Sequence, residues 1–144
     1  MCLTLESDYA VRIIGCLAAE NKRIDAKNIS ERTGVSLRFS LKILRKLVSA
    51  GLVRSYKGMQ GGYELAKPPS EITMLDVIAT VEGDYYLNRC REEEFVCTRG
   101  AKGCCCYQNV FNEISEMVTK KLASYTFGDL LCDDKAEPVP NSEQ

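Results

Sequence analysis

The chain has 144 residues, enough for one ordinary domain with a hydrophobic core, and 45% of them are hydrophobic. Its apolar runs are only a few residues long, which excludes a membrane-spanning helix, and the N-terminal MCLTLESDYAVR lacks the pattern of a secretory signal. We therefore expect a cytoplasmic protein whose eight cysteines stay reduced and act as ligands, sensors or core residues.

The net charge of −1 hides an asymmetry between the two halves of the chain. Residues 1–67 contain twelve Lys/Arg and six Asp/Glu, whereas residues 68–144 contain seven Lys/Arg and fourteen Asp/Glu. A basic N-terminal half joined to an acidic C-terminal half indicates that the N-terminal half meets a polyanion. Solvated charge on unrelated faces would produce the same split, so charge alone leaves the partner open.

Three amphipathic helices are predicted before residue 51. The first lies in LTLESDYAVRIIGCLAAEN, the second begins after the N-cap Asp25 and ends at Gly34, and the third begins after Ser36 and closes at Gly51. Two amphipathic helices separated only by GVS predict a helix-turn-helix. The residues expected to face the core are Tyr9, Ala10, Ile13, Ile14 and Leu17 in the first helix and Phe39, Ile43, Leu44, Leu47 and Val48 in the third.

A β-hairpin is predicted directly after the third helix. LVRSY and YELAK are short strand-like runs on either side of the glycine-rich turn KGMQGG. A helix-turn-helix followed by such a hairpin is a winged helix. The predicted fold class is therefore mainly α, a winged helix-turn-helix with a small β-hairpin wing and a long C-terminal dimerisation helix.

Two more helices follow the wing. EITMLDVIATVEG starts with Thr73 and Asp76 at capping-box spacing, and YQNVFNEISEMVTKKLASY is a long helix. Because little sequence remains to cover the long helix, we expect it to pack against a second copy of the chain, giving a homodimer; the alternative is that it folds back on the first helix. Its apolar stripe comprises Val110, Phe111, Ile114, Met117, Val118, Leu122 and Tyr125.

The third helix is the predicted recognition helix, lying in the major groove of double-stranded DNA. Its outward side chains reach base edges or phosphates, and the glycines of the wing allow a tight tip that approaches the DNA backbone. A dimer places two such helices about one helical turn apart and so implies a palindromic operator. The predicted DNA-binding residues are Ser36, Arg38, Lys42, Arg45, Arg54, Ser55, Tyr56, Lys57, Gly58 and Gln60.

Five cysteines fall within the 17 residues 90–106, in a chain that has no histidine. Three of them, CCC, precede the long helix, where the positive end of the helix dipole favours the thiolate that binds metal or reacts. An iron–sulfur cluster, direct thiol redox sensing, structural zinc and an adventitious disulfide stay open at this point. The paired C-x₂-C spacing usual for zinc is absent.

The motifs LTLESDYAVR, ISERTGVSLRFSLKILRKLVSAGLVRS and KGMQGGYELAKPPSEITMLDVIATVEG, together with the C…C…C…VFNEI pattern, resemble the Rrf-two family of bacterial winged-helix regulators. The resemblance covers residues 1–131. The family includes the iron–sulfur sensor type IscR and the nitric-oxide sensor type NsrR. It implies a homodimeric transcriptional regulator, usually a repressor, that holds a 4Fe-4S or 2Fe-2S cluster through three cysteines of each subunit.

The resemblance also implies the cluster ligands. Cys90 and Cys97 match the first two family cysteines, and the alignment of QNVFNEI makes Cys105 the third, with Cys104 or Cys106 as alternatives. The gap between Cys90 and Cys97 is one residue longer than is common in the family.

The fourth ligand distinguishes the two sensor types. The histidine that the IscR type uses is replaced by Gln108, whereas Asp8 matches the aspartate that the NsrR type supplies from the partner subunit. A spare cysteine of the triplet is the rival fourth ligand. Another departure from the family is Ser40, which occupies a position of the recognition helix that is usually apolar. A small rotation of the helix would let the neighbouring Leu41 take the place of the missing apolar side chain.

The sequence thus divides into five segments with different expected roles. These are a winged helix-turn-helix DNA-binding domain (1–67), a connecting helix (68–83), a cysteine-rich cluster-binding loop (84–105), a dimerisation helix with a return segment (106–132) and a disordered acidic tail (133–144).

The sequence is consistent with two functions. The first is a DNA-binding regulator that senses iron–sulfur status, nitric oxide or redox stress through a cluster. The second is a cofactor-free regulator of the same family that responds to thiol oxidation or to a ligand. An enzyme is not expected, because the chain lacks histidine, a phosphate-binding glycine loop before a helix, and a C-x-x-C redox motif outside the cysteine-rich segment.

Overall fold

The computed structural model describes residues 3–92, 94–101 and 105–131 and confirms the predicted order of elements. A helix-turn-helix is followed by a two-stranded wing, a connecting helix, and a long helix with a short return helix. The elements are α1 (Leu5–Glu20), α2 (Ala26–Thr33), α3 (Leu37–Ser49), β1 (Val53–Tyr56), β2 (Gly62–Leu65), α4 (Met74–Glu82), α5 (Cys106–Ala123) and α6 (Phe127–Leu130), with 3₁₀ turns at Pro69–Glu71 and Arg89–Arg91.

The predicted helix boundaries are set by local capping chemistry. The Asp25 side chain accepts a hydrogen bond from the Asn28 N–H, and Gly34 ends the same helix in the left-handed conformation with φ of 69°. Thr73 and Asp76 form the complete capping box expected from their spacing. Because each cap satisfies N–H or C=O groups that lack helical partners, these boundaries follow from short-range sequence alone.

One core joins the helix-turn-helix to the later elements. Ile13, Ile14 and Leu17 of α1 meet Ile43, Leu44 and Leu47 of α3, all at most 1% exposed. Val77 of α4 and Phe127 of α6 enter the same core. Burial of side chains of this size contributes about 1.5–3 kcal/mol each, so the core stabilises the connecting and return segments together with the helix-turn-helix.

The third helix differs from its prediction at Phe39, Ser40 and Val48. Phe39 was expected in the core but is 45% exposed, and Val48 is only half-buried, whereas Ser40 is fully buried. The burial of Ser40 is possible because its hydroxyl donates to the Val35 carbonyl at 3.3 Å. Leu41 is half-buried, so α3 places Ser40 inside and turns Phe39 towards the surface.

The wing is a two-stranded antiparallel hairpin with Val53 opposite Leu65 and Tyr56 opposite Gly62. The segment before α2 extends it, since Ile24 and Tyr63 exchange both backbone hydrogen bonds at 2.9 and 2.8 Å. This backbone pairing, which the sequence did not predict, holds the wing beside the helix-turn-helix.

The return segment fastens the far end of α5 to the start of α4. Met74 N–H donates to the Tyr125 carbonyl and Phe127 N–H donates to the Ile72 carbonyl, both at 2.9 Å. The long helix itself packs on α4. Among the described residues, no helix combines the length and apolar character that a membrane span requires.

Candidate DNA-binding surface and cysteine loop

The recognition helix α3 starts at the cap Ser36, whose hydroxyl accepts from the Phe39 N–H at 3.4 Å. Ser36, Arg38, Lys42 and Arg45 are all exposed, as predicted from their positions off the apolar stripe. Three of them carry positive charge, and Arg38, Lys42 and Arg45 line one shallow depression together with Phe39. The start of α3 therefore presents cations and an exposed helix N-terminus capped by Ser36, groups of the kind that contact phosphates and base edges.

The exposed ring of Phe39 links α3 to α1. It packs edge-on against Tyr9, with ring centroids 6.1 Å apart, and the Lys42 ammonium lies 6.0 Å from its centroid. Sequence analysis placed Phe39 in the core because its spacing fits the apolar stripe. The structure instead places this ring on the edge of the candidate DNA-binding surface.

Glu6 of α1 reaches across to the recognition helix. Its Oε1 atom lies 2.8 Å from Lys46 Nζ and 3.4 Å from Lys42 Nζ. Hydrogen bonding to Lys46 has the largest effect on the pKa of the Glu6 carboxyl; burial opposes it, and with the weaker contribution of Lys42 the pKa lies below its usual value. Sequence analysis missed this contact because Glu6 and Lys42 are 36 residues apart.

The wing tip is a tight turn between Gly58 and Gly61. The Gly61 N–H donates to the Gly58 carbonyl at 2.9 Å, and Gly58 has a φ of 93°. A Cβ atom at Gly61 would lie 2.6 Å from the Tyr56 carbonyl oxygen, so the turn requires glycine there. The predicted wing contacts Arg54, Ser55, Lys57, Gly58 and Gln60 are exposed.

Arg23, which the sequence analysis did not single out, supports this tip. Its guanidinium carbon lies 3.4 Å from the centroid of the Tyr56 ring, and its Nη1 donates to the Gln60 carbonyl at 3.0 Å. The Tyr56 hydroxyl donates to Glu64 Oε1 at 2.5 Å. Tyr56, predicted as a DNA contact, is half-buried and uses its ring and its hydroxyl inside the wing.

The cysteine loop (residues 84–105) connects α4 to α5. Cys90 lies in the 3₁₀ turn Arg89–Arg91, Cys105 is the N-cap residue of α5, and Cys106 is the first residue of that helix. Cys90, Cys97 and Cys105 are half-buried and Cys106 is exposed, while Cys104 lies outside the described residues. Within the described ranges, no three Cys, Asp or Glu side chains are grouped closely enough to hold a metal ion.

Cys97 has the most distinctive environment of these thiols. Backbone N–H groups of Ala101 and Arg99 hydrogen-bond to its sulfur and hold the pKa of the thiol below its usual value, with Arg99 adding a favourable charge. A thiolate is the form that binds metal or attacks an oxidant. By contrast, desolvation raises the pKa of Cys16, which packs at the edge of the core on α1.

Asp8, the predicted fourth ligand, lies on the first turns of α1, and its side chain is 46% exposed. Its carboxylate pairs with Arg12 one turn later at 2.8 Å, and the Arg12 guanidinium also lies 5.7 Å from the Tyr9 ring centroid. A metal bound by Asp8 would therefore share its carboxylate with Arg12 or displace that residue. The helix α1 carries this residue on the surface, where a second chain could reach it.

The N-terminal part of the apolar stripe of α5 is left uncovered by the described residues of the chain, whereas Val118 and Leu122 are half-buried. Ser115 is the only described α5 residue that is fully buried, and its hydroxyl receives the Leu87 N–H of the cysteine loop at 3.1 Å. The long helix therefore has one face that anchors the loop and one that is open. The exposed large side chains of α5 are Tyr107 (60%), Val110 (55%), Phe111 (42%), Ile114 (39%) and Met117 (63%).

The chain is similar to transcriptional regulators over most of its length. The sequence model of the Rrf2 family, the Rrf-two family named above, is described as an iron-dependent transcriptional regulator and matches residues 3–133. The Rrf2 protein of Nitratidesulfovibrio vulgaris is 31% identical over 135 residues, which cover 92% of this chain and 89% of that protein. The HTH-type transcriptional regulator IscR of Aliivibrio salmonicida is 30% identical over 145 residues, which cover 99% of this chain and 84% of that protein.

Solved structures share the fold. IscR of T. potens superposes with a TM-score of 0.73 at 26% identity, covering 96% of this chain and 94% of that one. CymR, the global cysteine regulator of B. subtilis, superposes with a TM-score of 0.74 at 25% identity, covering 92% and 98%. These matches confirm the predicted winged-helix fold. The chain therefore belongs to the Rrf2 family, a class of DNA-binding transcriptional regulators and not of enzymes.

Proposed function

We propose that this protein is a homodimeric repressor that senses iron–sulfur status, nitric oxide or redox stress through an iron–sulfur cluster held by its cysteine loop. The observation that carries the proposal is the placement of the thiols. Cys90 and Cys97 lie in the loop between α4 and α5, and Cys105 caps the helix that bears the open apolar stripe. A change at the thiols therefore acts at the start of the proposed dimer helix.

The donor set fits an iron–sulfur cluster in its chemistry. Thiolates are the ordinary ligands of such clusters, and the lowered pKa of Cys97 favours that form. Cys90, Cys97 and Cys105 would hold the cluster in each subunit, with Asp8 of the partner subunit, Cys104 or Cys106 as the remaining ligand. When bound, the cluster supplies reactivity towards oxidants and nitric oxide. The iron-dependent description of the family supports this assignment.

The residues of this chain have separate tasks in the proposal. Residues 1–67 bind a palindromic operator through α3 and the wing, and residues 84–105 respond to the signal. Residues 106–132 form the contact between subunits, because several large apolar side chains of α5 are exposed on one stripe and such a patch marks an interaction surface. Two recognition helices placed by one dimer give the two half-sites.

Oxygen-free purification tests the cluster directly. We expect a brown protein with iron and sulfide near stoichiometry, and loss of both on Cys97→Ala. Cys16→Ala is the matched control, because Cys16 is a half-buried thiol on α1 outside the loop. A colourless protein under these conditions, or colour that survives Cys97→Ala, contradicts the proposed cluster.

Direct thiol sensing is the second candidate function. It is favoured by the environment of Cys97, whose sulfur accepts backbone hydrogen bonds from Ala101 and Arg99 that hold the pKa of the thiol below its usual value. This function predicts an iron-free protein whose operator affinity changes on treatment with peroxide and returns with a thiol reductant. Cys97→Ala would then abolish the response to peroxide, whereas Cys16→Ala would leave it intact.

A further inference from the structure

Glu6 is a carboxylate placed against the cationic recognition helix. It pairs with Lys46 at 2.8 Å and with Lys42 at 3.4 Å, and its side chain is only 23% exposed, against 37% for Lys46 and 56% for Lys42. Its Oε1 atom is buried and faces both ammonium groups. An acidic group in this position is unfavourable for a surface that must approach a polyanion, because it repels phosphates and competes for the lysines.

The position of Glu6 is fixed by the start of α1. Glu82 Oε1 accepts hydrogen bonds from the Thr4 N–H and the Thr4 hydroxyl, both at 2.9 Å, and from the Ser7 hydroxyl at 2.5 Å. Ser7 is fully buried. The first turn of α1 is thereby tied to the end of α4, so the Glu6 carboxylate is held over α3 on an anchored helix and not on a mobile terminus.

We propose that Glu6 lowers the affinity of the protein for DNA by pairing with a lysine of the recognition helix, so that one positive charge of this helix is not available to the DNA backbone. Lys42, Lys46 and Glu6 together carry one positive charge, whereas the two lysines without Glu6 carry two. Each additional phosphate neutralised steepens the fall of log affinity with log salt concentration by about 0.9. Glu6 therefore weakens binding to operator and to unrelated DNA alike and makes binding less sensitive to salt.

The ion pairs of Glu6 with Lys42 and Lys46 contribute little to the stability of the fold. The side chains of Lys42 and Lys46 are 56% and 37% exposed, so water and salt screen their attraction to Glu6, and ordering these long side chains costs entropy. Lys42 is more than half exposed, and its distance to Glu6 is the longer of the two. The ammonium of Lys42 is therefore easily drawn away by a phosphate, while Lys46 remains paired. The energetic consequence of Glu6 falls on DNA binding.

Salt titrations of DNA binding test this inference, which rests on α3 being the recognition helix. The full-length dimer is titrated with its own promoter DNA and with unrelated duplex at several salt concentrations. For Glu6→Gln we expect tighter binding to both, by about threefold to tenfold at low salt, and a salt slope steeper by about one. Lys46→Gln should make the slope shallower by the same amount, and the double variant Glu6→Gln/Lys46→Gln should return to the wild-type slope.

Two controls separate the possible outcomes. Glu31→Gln removes an exposed carboxylate of α2 for which the described residues provide no ion-pair partner, and we expect a change in slope of less than half that of Glu6→Gln. Arg38→Ala tests the recognition helix itself and should reduce operator binding. If Arg38→Ala weakens binding while Glu6→Gln leaves it unchanged or weakens it, the role of Glu6 is wrong. If neither changes binding, α3 does not face DNA and the inference falls with the proposed surface.

Discussion

Arg23 shows how a single side chain can shape the wing, which we propose contacts DNA, from a position beside it. Its guanidinium stacks on Tyr56 at 3.4 Å and donates to the Gln60 carbonyl at 3.0 Å, so it joins the flank of the wing to its tip. A stacked guanidinium with a directed hydrogen bond cannot be replaced by an ammonium group, which lacks the planar fork. Lysine at this position keeps the charge and loses the geometry.

We therefore predict that Arg23→Ala and Arg23→Lys both weaken operator binding, by about threefold to tenfold, which corresponds to the loss of about one cation–π contact and one hydrogen bond. The thermal midpoint should change little because the core is untouched. Lys22→Ala is the matched control, since Lys22 is an exposed neighbour that pairs with Glu20 at 3.3 Å. Wild-type affinity in Arg23→Lys would show that only the charge matters. Fluorescence anisotropy with promoter DNA measures these affinities.

At the scale of elements, hydrogen bonds to the Glu82 side chain join the start of α1 to the end of α4. Glu82 receives hydrogen bonds from Ser7, which has the largest effect, and from Thr4, and these hold the pKa of its carboxyl below the usual value. A lowered folded-state pKa stabilises the fold above the unfolded-state pKa, which is about 4.3 for glutamate. That stabilisation is lost as the pH falls through the folded-state value.

Thermal unfolding between pH 7 and pH 3 checks this contact. We predict that Glu82→Gln lowers the midpoint at pH 7. The difference from wild type should shrink as the pH falls below the unfolded-state value of about 4.3, because the carboxyl is protonated first in the unfolded chain and only at lower pH in the folded one. Glu71→Gln, on the exposed 3₁₀ turn Pro69–Glu71, is the control and should not reproduce this pattern. A difference that is constant over the whole pH range would mean that the charge of Glu82 is not involved.

At the scale of the whole molecule, the open stripe of α5 is the strongest indication of a second subunit. Met117 is 63% exposed and Val110 is 55% exposed on the same helix, whereas the return segment carries Phe127 into the core of its own chain. The alternative that α5 folds back on α1 does not describe this structure, in which α5 packs on α4. A stripe of this kind is covered in water by another apolar surface.

We predict that Met117→Glu converts the dimer to a monomer and reduces operator binding by at least tenfold, because two half-sites are no longer bound by one particle. Ala123→Glu introduces the same charge at an exposed α5 position outside the stripe and should keep the dimer. Light scattering after gel filtration gives the mass of each variant. A monomeric wild type, or a dimeric Met117→Glu, would contradict the role of this helix.

The sequence by itself determined the features that depend on short-range patterns. Asp25, Ser36 and Thr73 cap the helices expected of them, because a capping side chain acts on backbone groups two or three residues away. The winged-helix fold followed from helical periodicity and from the glycine-rich turn between two short strands. The exposed cations of α3 were also predictable, since they lie off the apolar stripe.

Only the tertiary structure decided the contacts between residues distant in sequence. Ser40 is buried and Phe39 exposed because the Val35 carbonyl offers the Ser40 hydroxyl a partner inside, a detail that apolar periodicity does not contain. Glu6 meets Lys46, and Arg23 meets Tyr56, because α1 crosses α3 and the loop before α2 lies along the wing. Spacing locates a residue on its own helix or strand, whereas its partners depend on how these elements pack together.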